Sequence, residues 1–159
     1  MLKYIIIATL FYCSNALAFR NEPEGFRSIM WADDITQNKD EMTLSQSSEQ
    51  SSYYKRNGDS LEIGGAELSS IDYIYKNDKL SSIMIKTEGI NNKSAIIEAF
   101  KTQFGKPYQG NRYIDEYIWR GSKTAIILSC KVISYKCSVL MNSIQIMNEE
   151  KENSKQKAE

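Results

Sequence analysis

Few side chains in this chain can do chemistry. Among 159 residues there is no histidine, which removes Ser-His-Asp and Cys-His relays and zinc sites of the usual kind. Of the three cysteines, Cys13 falls in an N-terminal stretch that reads as a cleaved export signal, which leaves two, Cys130 and Cys137. An even number of cysteines in an exported chain favours a disulfide over a free thiol nucleophile. Carboxylates stand side by side at Asp33/Asp34 and at Asp115/Glu116. Glycoside hydrolysis needs two carboxylates converging on one bond. Neighbours on a strand point to opposite faces, so Asp115 and Glu116 do not converge by themselves; both pairs read as caps or solvated charge. Gly64-Gly65 lacks the glycine spacing and the Lys-Ser/Thr of a phosphate loop and reads as a hairpin corner. The ten tyrosines suit sheet positions, yet they could also build an aromatic recognition face. Tyr108, Tyr113 and Tyr135, placed in loops, are the expected exposed members. The chain thus offers a candidate disulfide, Cys130–Cys137, and a candidate binding surface at Tyr108, Tyr113 and Tyr135. It offers no catalytic constellation, metal site or cofactor motif.

The elements that position these residues are organised around Ala66 to Gly105. Ile71, Tyr73 and Tyr75 alternate on one face of a strand, and Ile83 and Ile85 do so on its return. A three-residue loop, Asn77 to Lys79, sets Tyr73 opposite Ile83 and Ile71 opposite Ile85. A two-residue loop would turn the two apolar rows to opposite faces. A helix over about 92–104 follows, with Ile96, Phe100 and Phe104 on one stripe, Asn91 or Asn92 as its N-cap and Gly105 at its end. The stripe is expected to cover the Ile71/Tyr73/Ile83/Ile85 face.

Upstream, Phe26 to Trp31 reads as a short strand and Asp33 or Asp34 as the cap of a short helix running toward Met42. The Ser- and Gln-rich run Thr43–Ser52 reads as a loop. Asn57-Gly58 predicts a hairpin that sets Tyr54 opposite Leu61. Downstream, Tyr113 to Arg120 and Thr124 to Cys130 form a hairpin through Gly121-Ser122, pairing Tyr117 with Ile126. The last strand runs from Cys137 to about Met147, with a bulge near Asn142-Ser143 that keeps Ile144 and Ile146 on the core side. The fold class is therefore α+β: a mostly antiparallel sheet built from hairpins, with one main amphipathic helix on one face.

Met1 to Ala18 reads as a secretory signal peptide: Lys3, an apolar run from Tyr4 to Phe11, and a cleavage site at Ala16-Leu17-Ala18. Residues 19–147 form a single domain, and the charged tail 148–159 is expected to be a frayed helix or disordered. Lys+Arg and Asp+Glu are 20 each. Cleavage removes only Lys3, so no pull toward nucleic acid or anionic membrane results.

The pattern Phe26-Arg27-x-Ile29-x-Trp31, Tyr54-x-Arg56, Leu61-x-Ile63-Gly64-Gly65-Ala66-x-Leu68, Ile71-x-Tyr73-x-Tyr75, Phe104-Gly105-Lys106-Pro107-Tyr108 and Tyr117-x-Trp119-x-Gly121 resembles a family of uncharacterised exported bacterial proteins. In that family glycine usually follows the tryptophan, where this chain has Ala32. The resemblance implies a bacterial source and a periplasmic or secreted location, and it carries no activity. At fold level the hairpin and Phe-Gly-x-Pro segment are also loosely similar to outer-membrane-assembly lipoproteins and β-lactamase-inhibitor-like domains. The function expected first is a non-catalytic binding module of the cell envelope, an adaptor or inhibitor whose partner is another envelope or exported protein. The alternative is a carboxylate-dependent hydrolase of envelope polysaccharide. A third reading is a structural subunit pairing through a sheet edge.

Overall fold

In the computed structural model, which describes residues 19–156, the central hairpin turns at Asn77-Asp78. The signal peptide expected over residues 1–18 lies outside the described residues. Asn77 and Asp78 have φ of 47° and 62°, values a two-residue turn of this hand needs at both positions. Strands β7 (Ser70–Lys76) and β8 (Lys79–Glu88) leave that turn. Tyr73 faces Ile83 and Ile71 faces Ile85, the expected register, but the expected three-residue loop is corrected. The extra residue is Ser81, bulged between the pairs Ile74/Ser82 and Tyr75/Leu80. Its buried hydroxyl donates to the Ile74 carbonyl at 2.9 Å, which satisfies the polar group that the bulge turns inward.

The remaining strands extend this hairpin into one antiparallel sheet. They are β3 (Met42–Ser47), β4 (Ser52–Arg56), β9 (Glu116–Arg120), β10 (Thr124–Cys130) and β11 (Lys136–Ser143). The sheet order is β3-β4-β7-β8-β11-β10-β9. Two small hairpins sit outside it: β1 (Gly25–Phe26) with β2 (Ile29–Met30), and β5 (Glu62–Ile63) with β6 (Ala66–Glu67). The short helix expected after Asp34 is two successive 3₁₀ turns, Ile35–Gln37 and Lys39–Glu41, and Asp34 caps the first through the Thr36 N–H.

Several local expectations are corrected. The run read as a loop, Thr43–Ser52, mostly becomes edge strand β3 and its turn, and β4 pairs with it rather than with the segment around Leu61. Leu61 is exposed. In the β9–β10 hairpin Tyr117 faces Leu128 and Trp119 faces Ile126. The turn sits one residue later than expected, so the pairing moves by two and every side chain keeps its face. Strand β11 ends at Ser143 without a bulge, and helix α2 (Ile144–Gln156) begins there. The Ser143 hydroxyl accepts from the Ile146 N–H at 3.3 Å, and Ile146 is buried from a helix rather than a strand. Residues 148–156 of the charged tail are therefore helical rather than disordered.

Helix α1 (Ile90–Phe104) buries Ile96, Phe100 and Phe104, as its spacing predicts. Gly89, at φ 107°, occupies its N-cap position without a side-chain bond. Asn92, an expected cap, instead accepts from the Glu67 N–H at 3.0 Å and ties α1 to β6. Under α1 one register row crosses six strands: Trp119, Ile126, Met141, Ile83, Tyr73 and Tyr54. The first five of these are buried in the main core. The cysteines Cys130 and Cys137 face each other across β10 and β11 in a disulfide, Cα atoms 4.1 Å apart, also on this side.

The next row faces the other way: Ile118, Ile127, Leu140, Met84 and Asp72. It ends in an ion pair from Asp72 to Lys55 at 2.6 Å. Helix α2 returns over this side, held by the Lys76–Glu150 pair at 2.6 Å and by Ile146. Ile74 and Ala125 are buried here outside the main core, while Ile127 keeps 36% of its surface exposed.

Candidate functional site

The segment before β3 lies against α1 and leaves an open groove of about 810 Å³ between them. Its lining includes Phe26, Ile63, Ala95, Phe100, Phe104 and Met141. Arg27 and Glu98 are the charged residues on it. Concave, largely apolar sites of this size with a few polar groups are the usual form of a binding pocket.

Each wall is fixed. Gly64 and Gly65, at φ 55° and 81°, turn β5 into β6, the hairpin corner their sequence predicts. A Cβ on Gly64 would lie 2.3 Å from the Ala99 Cβ, so only glycine lets this turn touch α1. On the other wall, Arg27 and Ser28 form the β1–β2 turn with φ of 48° and 71°. Arg27 donates to Asp59 and to the Ser60 carbonyl, both at 2.5 Å, and to the Glu62 carbonyl at 3.0 Å. Tyr73 donates its hydroxyl to the second Asp59 oxygen at 2.8 Å. Arg56 reaches the Arg27 carbonyl at 2.8 Å and Glu41 at 2.8–3.0 Å. The guanidinium of Arg27 lies 5.2 Å from the Phe26 ring centre, and that ring sits 5.9 Å from Tyr73. Arg27 is therefore occupied in holding Phe26 in place.

The N-terminal segment is also clamped at its start. The Glu22 carboxylate accepts from the Lys123 and Thr124 N–H groups at 2.5 and 2.8 Å, and from the Ser122 hydroxyl at 3.2 Å. Burial works to raise its pKa, but these bonds together outweigh it and hold the carboxyl below its ordinary value. Thr124 donates to the Pro23 carbonyl and accepts from the Trp31 indole.

The titratable groups singled out in the sequence are engaged elsewhere. Asp33 accepts from the Met30 N–H at 2.9 Å. Bonds from the Thr36 hydroxyl and N–H hold Asp34 low. Asp115 is lowered first by Lys93, at 2.5 Å, with burial opposing and Tyr117 adding a bond at 3.1 Å. Glu116 is exposed. Burial, then the bond to Asp59, raises Tyr73, and burial, then Asp33, pushes Tyr75 up to about 12. Both phenols stay neutral at physiological pH, and neither carboxylate pair is arranged around a common cleft.

Tyr108, Tyr113 and Tyr135 do not line the groove. Tyr108 exchanges two backbone bonds with Ile118 outside β9, at 2.8 and 2.9 Å. Tyr113 is the most exposed, at 75%, with Arg112 over its ring. Tyr135 sits in the β10–β11 turn beside Lys93. Among the described residues no ring contact joins the three. Sequence reasoning put Phe26 in a short strand but did not place Arg27, Asp59 and Tyr73 together, because their link spans separate hairpins.

The disulfide is what an exported protein carries, and no helix of the described residues is long and apolar enough to cross a membrane. Compared with family models, with curated proteins and with solved structures, the chain matches none of them.

Proposed function

We propose that this chain is a non-catalytic binding module of the bacterial cell envelope. It receives an apolar side chain of another envelope or exported protein in the groove between the N-terminal segment and α1. The observation that carries this reading is a preformed apolar groove whose walls are immobilised by Arg27, Asp59 and Gly64. Pre-ordered walls reduce the entropy lost on binding. The disulfide and the resemblance to exported bacterial proteins support the compartment. The two carboxylate pairs named in the sequence give the polysaccharide-hydrolase reading no support: Asp33 and Asp34 bond to nearby backbone, Asp115 is paired with Lys93, and Glu116 is exposed.

A photo-crosslinking residue at the exposed groove position Thr102, compared with one at Glu149 on α2, tests this in living cells. The expected result is a protein adduct at Thr102 that disappears when Ala95→Trp fills the groove. Equal adducts at both positions, or an adduct that survives Ala95→Trp, overturns the reading.

A further inference from the structure

On the other flank of the last turns of α1, a second cleft of about 570 Å³ gathers Arg20, Lys101 and Lys106 around Tyr108, Gln109 and Tyr117. Among the described residues none of these three cations is in an ion pair. The acid facing this side is Asp115, which bonds to Lys93 and the Tyr117 hydroxyl and feels the Lys101 charge only at longer range, without an ion pair. Lys101 lies over the Tyr117 ring at 4.6 Å. Three unpaired like charges gathered in a chain of zero net charge repel one another, and an anion between them relieves that repulsion.

The cleft is also built on fixed backbone. Arg20 donates its N–H to the Phe104 carbonyl at 3.0 Å, and Phe19 packs edge-on against Phe104. The Trp119 indole holds the Gly105 carbonyl at 2.9 Å, and the Tyr108–Ile118 bonds hold the loop beyond Lys106. The polar and aromatic groups indicate more than a bare anion. Gln109 uses its NH₂ on the Ile114 carbonyl at 2.8 Å, leaving the amide oxygen to accept. Tyr108 is 59% exposed and offers a ring face.

We infer that this cleft binds a sugar acid. Arg20, Lys101 and Lys106 take the carboxylate, the Gln109 oxygen accepts from a ring hydroxyl, and Tyr108 covers the ring. Lysine and arginine suit carboxylates, and the volume falls within the range of small-molecule sites.

Amide-resolved NMR titration of the protein with glucuronate, glucose and inorganic phosphate tests the inference. Saturable shifts are expected with glucuronate at Lys101, Lys106, Gln109 and the Trp119 indole, weakened at least tenfold by Arg20→Gln with Lys106→Gln. Both substituted residues are exposed, and a retained spectrum elsewhere reports the fold. Glucose at equal concentration is expected to give no saturable shift, and phosphate to bind at least tenfold more weakly. Absence of saturable shifts with glucuronate, a double variant that binds it unchanged, or phosphate binding as tightly as glucuronate would each overturn the proposal. The last outcome would leave an anion site without ring recognition.

Discussion

The two faces of the seven-stranded sheet carry apolar rows of similar length, yet only one is sealed. On the α1 side Trp119, Ile126, Met141, Ile83 and Tyr73 are buried. One residue along each strand, Ile118, Ile127, Leu140 and Met84 run across the opposite face. There α2 covers the Ile74 and Ala125 end and leaves Ile127 partly exposed. Strand apolarity therefore does not say which face is core. The cover decides it, and the cover with large apolar side chains is α1.

The strongest way to break this contrast is to shorten the α1 side chain that packs on Trp119 and floors the groove. Phe100→Ala should cost about 3–5 kcal/mol in denaturant unfolding, because the ring is buried against Phe104 and Trp119 and its contacts are lost; a cost under about 1 kcal/mol would mean that α1 does not hold this face. Replacing Cys130 and Cys137 by serine should cost about 2–3 kcal/mol through the unfolded chain, measured the same way. Ala32→Gly should add about 1 kcal/mol, since Ala32 holds φ 67°, a conformation that glycine adopts without penalty. The Glu22 clamp sharpens the picture by pH. Its folded pKa lies below the unfolded value of about 4.3, so its contribution is full above that value and is lost as pH falls through the folded pKa. Melting temperatures between pH 6 and pH 3 should fall more steeply for the native chain than for Glu22→Gln. The smallest effect belongs to the open face: Glu150→Ala, which removes the Lys76 partner, should change stability by about 0.5 kcal/mol or less.

The parts legible in the sequence were those where periodicity and burial agree. The Ile96/Phe100/Phe104 stripe and the facing of Tyr73 with Ile83 are of this kind. The second held although its turn is a residue shorter, because the Ser81 bulge restores the parity that the apolar rows demand. Strand β3 was hidden because an edge strand exposed on both faces needs no apolar alternation. Residues 144–147 read as strand because two isoleucines spaced by two fit either a bulged strand or the first turn of a helix. Asn92 looked like a cap, but its side chain is used by a distant backbone N–H. The candidate disulfide was readable once Cys13 was assigned to the signal peptide, because two cysteines then remain. The groove was not, since it arises between two segments that share no local pattern.

The clamp on Glu22 fixes more than a loop. Because the β9–β10 turn grips that carboxylate and Phe19 rests on Phe104, the chain enters the fold along a set direction beside Lys106 and Tyr108. An affinity tag or reporter fused ahead of Phe19 would emerge there and screen the cationic cleft. Biosensor immobilisation through the end of α2, which departs from the far side of the sheet, would leave both the cleft and the groove facing the analyte.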